Sequence, residues 1–204
     1  MTDLFISYSR KDREFVRALH DALKNAGREA WVDWEDIPLT ADWMQEIRGA
    51  IEAADSFLFV ISPDSVVSEV CAREIEHAAK FNKRLVPIYH REVIVQLIHP
   101  ALRAHNFIYF RETDDFASTL QALLDALDTD LDYVKQNTRL LVRAIEWDAK
   151  GRDDSYALRG RDLREAETWL AASAGKKPEP TELHLQYIAA SREAAIARQR
   201  IIVG

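Results

Sequence analysis

Six consecutive residues, Ser56-Phe57-Leu58-Phe59-Val60-Ile61, carry almost no polar side chain. A strand points alternate residues to opposite faces, so a run apolar in both phases has to be covered on both sides. Four further runs resemble it. They lie at 3–7, 29–33, 84–89 and 106–110. Helical periods fall between them. Phe15, Val16, Leu19, Ala22 and Leu23 share one face of a helix predicted over 13–26, with Gly27 as its stop. Met44, Ile47, Ala50 and Ile51 do the same over 43–53. Ser62-Pro63-Asp64 breaks the chain and caps a helix predicted over 66–81, and a last helix is expected over 115–127. Pro87 removes one ladder donor from the fourth run, which predicts a sheet edge or strand end. Repeated strand and helix mean a parallel sheet with helices on both faces. Ligands of such sheets sit beyond the carboxyl ends of the strands. Here those ends are residues 7–10, 33–36, 62–65 and 90–91.

The pattern changes near Thr129. Helices are expected over 131–149 and 162–172, ended by Gly151 and Gly175. After the stiff Lys176-Lys177-Pro178-Glu179-Pro180 segment, Thr181 can cap a third, with Leu185, Ile188 and Ala195 facing inward. Trp147 and Trp169 are expected in the core of this part. The organisation is therefore an α/β domain over 1–128 and an all-α extension of about three helices over 129–204, packed on itself or on the sheet. Arg192, Arg198 and Arg200 precede Ile201-Ile202-Val203-Gly204. Two readings stand for that end: an ordinary helix terminus, or the start of a membrane segment or further domain beyond Gly204.

Composition removes several function classes. With 27 basic and 34 acidic residues the net charge is −7, unlike a bulk nucleic-acid binder. The single cysteine, Cys71, excludes a disulfide framework and a four-cysteine zinc site. HExxH is absent, and no metal site is expected. Neither GxGxxG nor GxxxxGK[ST] occurs, so a dinucleotide bound in the Rossmann manner is not expected, and no GxSxG elbow marks a hydrolase. The first and third strand ends lack the acidic pair of a phospho-accepting receiver. No apolar run of about 18 residues is present and no secretory leader is visible, which predicts a cytoplasmic chain or the cytosolic part of an anchored one.

What remains is a set of boxes at the predicted strand ends: Phe5-Ile6-Ser7-Tyr8-Ser9-Arg10-Lys11-Asp12, then Asp33-Trp34-Glu35-Asp36-Ile37-Pro38-Leu39, then residues 62–75, then Arg84-Leu85-Val86-Pro87-Ile88. In this order and spacing they resemble a Toll/interleukin-1 receptor (TIR) domain over about residues 1–127. The pairing with a helical extension is similar to bacterial multidomain TIR proteins. The resemblance implies a flavodoxin-like fold and one of two roles. Many animal members are scaffolds that bind other TIR domains. Many bacterial, plant and axonal members cleave the nicotinamide–ribose bond of NAD+, giving ADP-ribose or a cyclic form, in defence or signalling. NAD+ is then the substrate, and no separate cofactor is implied. The family's catalytic glutamate lies in a Ser-x-x-(Trp)-Cys-x-x-Glu setting, matched here by Ser68, Cys71 and Glu74. Val70 departs from it, standing where active members often carry tryptophan.

One carboxylate suffices for such a reaction. Nicotinamide leaves a cationic pyridinium as a neutral molecule, so no general acid is required, in contrast to an alkoxide-releasing glycosidase. A preorganised carboxylate beside the ribose stabilises charge present only in the transition state. Glu74 is the candidate, and a place near a helix start is expected to hold its pKa low. Ser7, Ser9, Arg10, Asp33, Trp34, Asp36, Trp43, Ser68 and Cys71 are candidates for the surrounding substrate pocket, with Trp34 or Trp43 supplying a stacking face in place of the missing aromatic. Each has a plainer reading. Ser7 and Ser9 satisfy backbone groups, Arg10 is a surface cation, Asp33 and Asp36 cap and turn, and Cys71 is a packing residue. Glu76, two positions on, points elsewhere on its helix. The resemblance also implies self-association through Trp34, Asp36, Ile37, Pro38 and Leu39, which completes the pocket. Activity on other N-glycosides uses the same chemistry and stands as a third reading.

Overall fold

The computed structural model describes residues 3–34 and 40–203. It divides into two compact units, Met1–Thr129 and Asp130–Gly204. Among the described residues of the first, five strands form an all-parallel sheet: β1 (Leu4–Ser7), β2 (Ala30–Val32), β3 (Ser56–Ile61), β4 (Arg84–Tyr89) and β5 (Ile108–Tyr109). Their order is β2-β1-β3-β4-β5, the flavodoxin-like arrangement, with the apolar β3 at the centre.

The two-residue period sorts the strand side chains into two layers. Leu4, Ile6, Leu58, Val60, Val86 and Ile88 pack on α1 (Arg13–Asn25) and α5 (Phe116–Asp128). Phe5, Phe57, Phe59, Ile61 and Leu85 pack on α2 (Ala41–Ala53), α3 (Glu69–Lys80) and α4 (Pro100–Arg103). Each fully buried Leu, Ile or Phe side chain contributes about 1.5–3 kcal/mol. α1 ends where Gly27 takes φ +77°, a conformation that favours glycine.

Several boundaries differ from the sequence pattern. α2 begins two residues earlier than its apolar period, because the Thr40 side chain accepts from Trp43 N and caps it. The short α4 is invisible in periodicity. It is set by Pro100 in its first turn and by His99, whose Nδ1 accepts from Ala101 N at 3.2 Å. Pro87 is not at a strand end, but its missing donor falls on the β5 side of β4, where the strand is still an open sheet edge, as the sequence predicts. The proline lies inside β4, registered with Phe59 of β3, and β5 pairs β4 only from Ile88 onward.

The second unit consists of α6 (Leu131–Ala149), α7 (Gly160–Ala171) and α8 (Glu182–Val203), which pack on one another. Its core holds Tyr133, Trp147, Leu158, Trp169, Tyr187 and Ile188. Trp169 Nε1 donates to the Tyr133 carbonyl at 3.1 Å. Thr181 Oγ1 accepts from His184 N at 3.2 Å and caps α8. The inward face of α8 runs through His184, Tyr187, Ile188, Ser191 and Ala194, whereas Leu185 is 45% exposed and faces out. Among the described residues no helix is long and apolar enough to cross a membrane.

Candidate functional site

β1 and β3 lie side by side, Ser7 in register with Phe59. Ser7 follows Phe5 by two and so faces the α2–α3 layer. What meets it there depends on where α3 starts. The apolar pattern runs from Val66, but the helix begins at Glu69. Ser62 N donates to Ser65 Oγ at 2.9 Å, and Ser65 N donates to Ser62 Oγ at 3.2 Å. These short side chains take the backbone groups a helix would use. Ser68 then caps the helix, its Oγ accepting from Cys71 N at 3.3 Å. With that start, Cys71, Glu74, Ile75 and Ala78 form the buried face of α3.

Glu74 is 8% exposed, and its Oε2 accepts a hydrogen bond from Ser7 Oγ. Burial pushes its carboxyl up to about 7, against which the Ser7 bond works, while the charge of Asp33 adds to the rise. This corrects the low pKa expected from the helix start. A macrodipole contributes about 0.3–1 kcal/mol and only within the first turn. The rise from 4.5 to about 7 corresponds to about 3 kcal/mol, so desolvation decides the sign.

A cavity of about 210 Å³ opens between α2 and α3 beside Glu74. Met44, Ile47 and Ile51 line it with apolar surface, and Arg48, Arg73 and Lys80 bring positive charge. Glu76 and His77 also line it, so Glu76 is exposed but not remote from Glu74. Ser7, Arg10 and Trp34 do not line this cavity.

The other candidates divide. Arg10 Nη2 stands 3.7 Å from Asp33 Oδ2, beyond the ends of β1 and β2. The Asp33 carbonyl accepts from Tyr8 Oη at 2.8 Å. Ser9 caps the 3-10 turn Arg10–Asp12, accepting from Lys11 N at 3.4 Å. Cys71 is buried and its Sγ donates to the Tyr8 carbonyl at 3.6 Å. Burial first, and then Glu74, push its thiol up to about 12, so it is no thiolate near neutral pH. Trp34 and Trp43 fall on opposite faces of the sheet. Trp34 packs on the α1 layer with its ring near Tyr8 and His20, and Trp43 packs on the α2–α3 layer beside Trp31. Asp36, Ile37, Pro38 and Leu39 lie outside the described residues.

A second polar cluster occupies the other side of the strand ends. Asp12 Oδ1 accepts from Arg91 Nε at 2.9 Å and Nη2 at 2.6 Å, and Asp12 Oδ2 accepts from Ser62 Oγ at 2.5 Å. Arg91 Nη2 also donates to Asp64 Oδ2 at 2.7 Å, and Lys11 Nζ donates to Asp64 Oδ1 at 2.7 Å. The Lys11 and Arg91 bonds hold the Asp64 carboxyl below its usual range. Sequence reasoning did not join these residues. The available signal was opposite charge beyond strand ends on either side of β3, Asp12 after β1 and Arg91 after β4.

A family model described as TIR domain matches residues 4–124, more than half of the chain. The chain therefore belongs to the TIR-domain family. Among solved structures, the TIR domain of the Toll-related receptor TRR-2 from the lower metazoan Hydra magnipapillata is 23% identical, with a TM-score of 0.50, over 62% of this chain and 97% of that one. It shares the fold. A metazoan TIR-STING receptor from C. gigas, solved with 2',3'-cGAMP, is 26% identical with a TM-score of 0.46, over 58% of this chain and 38% of its own. The Clostridium botulinum CMP N-glycosidase BcmB is 19% identical with a TM-score of 0.43, over 60% of this chain and 98% of its own. No curated protein matches in sequence.

Proposed function

We propose that the chain is a TIR-domain NAD+ glycohydrolase with Glu74 as its catalytic carboxylate, active when TIR units associate. The observation that carries this reading is a buried glutamate at the carboxyl end of a parallel sheet, held by Ser7 and bordering a cavity with positive charge around it. NAD+ carries a diphosphate, which suits that charge. The ionised Glu74 stands against the cation that develops on the ribose as nicotinamide leaves. Its hydrogen-bond capacity also serves the ribose hydroxyls. A water adds to the ribose carbon to give ADP-ribose, or an internal nucleophile closes the cyclic product. Association through the 34–42 segment brings a second TIR unit to the pocket and raises its effective concentration.

The test is nicotinamide release from NAD+ by concentrated protein. Wild type and Glu14→Ala, a change on the exposed side of α1, release it, and Glu74→Ala does not. Release by Glu74→Ala at the wild-type rate would sink the reading.

A second reading, a scaffold that binds other TIR domains without catalysis, is favoured by Val70 in place of an aromatic and by the engagement of Glu74 with Ser7. Self-association without nicotinamide release selects it. Testing nucleotides beside NAD+ separates a different N-glycosidase.

A further inference from the structure

We propose that Ser7 is a positioning residue whose hydroxyl fixes the orientation and the charge of Glu74, and not a residue that contacts substrate. The inference rests on the reading of Glu74 as the reacting carboxylate. Ser7 is 1% exposed and ends β1, in register with Phe59 of β3. A hydroxyl has one proton to donate, and here Glu74 Oε2 receives it. The donor therefore comes from a buried strand residue, while the acceptor sits about one and a half turns into a helix whose start is set by Ser68. Such a bond selects one carboxyl rotamer and leaves the second oxygen, Oε1, for chemistry.

The same bond decides the charge of Glu74. Burial opposes ionisation, and the nearby Asp33 opposes it further. Cys71, on the same helix face, is a neutral thiol and offers no counter-charge. Along the groove Arg48, Arg73 and Lys80 are cationic and Glu76 is anionic, while His77 Nε2 lies 2.9 Å from Glu52 Oε1. Among the described residues it is the Ser7 hydroxyl that donates to the Glu74 carboxyl and favours its ionised form.

Carboxyl 13C NMR of the full chain, with the Glu74 resonance assigned by its loss in Glu74→Gln, reads this directly. Wild-type Glu74 is expected to titrate at about 7. Ser7→Ala moves the midpoint up by about one pH unit or more. Ser7→Cys, nearly isosteric and a weaker donor, falls between. Nicotinamide release follows the same order. Ser7→Ala loses about tenfold in kcat at pH 7 and recovers most of it by pH 9, with KM unchanged. An unmoved Glu74 midpoint in both variants overturns the inference, as does a Ser7→Ala defect that is flat in pH or resides in KM. Should Ser7→Ala fail to fold, Ser7→Cys decides alone. If the wild type releases no nicotinamide at any pH, the functional reading fails, while the NMR midpoints still decide whether Ser7 controls Glu74.

Discussion

The two units bury polar groups in opposite ways. The TIR unit buries carboxylates, Asp12 and Glu74, at the carboxyl end of its sheet, and the Lys83 ammonium just before β4. The helical unit buries Asn137, Thr138, His184 and Ser191. The polar atoms of three of them have neutral hydrogen-bond partners: His184 bonds the Asn137 carbonyl and Thr181, Thr138 Oγ1 donates to the Val134 carbonyl, and Ser191 Oγ accepts from Leu158 N. A satisfied neutral group inside a protein costs little. A desolvated carboxylate with one donor is expensive and persists where something else requires it. The helical unit thus reads as packing made complete, and the TIR unit as packing compromised around a site.

The strongest break of that contrast is catalytic. Glu74→Ala is expected to lower nicotinamide release by about a thousandfold or more, whereas changes of buried polar groups in the helical unit alter stability alone. Next comes Arg91→Ala. It leaves the Asp12 carboxylate buried with Ser62 and without its cation, and should cost about 3 kcal/mol in a denaturant titration.

The pH dependence then separates the units by sign. The folded pKa of Glu74 is raised from 4.5 to about 7, so its contribution to stability is whole below 4.5 and is lost as pH rises through 7. That of His184 is depressed by burial, so stability is whole above 6.5 and falls as pH drops below it. Hydrogen exchange should show β1 and β3 weakening toward alkaline pH and α8 toward acid. Glu74→Gln should abolish the alkaline trend and stabilise the TIR unit at pH 8 by about 1–3 kcal/mol. The smallest effect is expected at the α8 cap, where Thr181→Ala costs about 1 kcal/mol.

Much of this architecture is legible in the residues. The β3 run and the helical periods mark a parallel sheet, and the boxes at the strand ends single out the segments that carry Ser7, Asp33 and Glu74. The three helices of the extension appear in the pattern, as does the burial of Trp147 and Trp169. The start of α3 is not legible, because Ser62 and Ser65 divert backbone groups that apolar spacing assigns to a helix. The raised pKa of Glu74 is not legible either. Spacing places it near a positive helix end, and only the packed structure shows that it faces the core and Ser7. Leu185 faces out, against the helical pattern, for a related reason. A helix period fixes relative positions on a face, and the core side of α8 is chosen by His184 and Tyr187, whose polar atoms find partners inside.

The central claim is that a buried carboxylate at the sheet rim does the chemistry. Nicotinamide release from NAD+ at pH 8, where Glu74 is mostly ionised, tests it most directly when concentrated wild type is compared with Glu74→Gln. The wild type is expected to turn over NAD+ at a rate that rises with pH through about 7, and a Glu74→Gln protein of equal or greater stability to release none above background. Turnover by Glu74→Gln at the wild-type rate, or a wild type that associates and releases no nicotinamide, would contradict it.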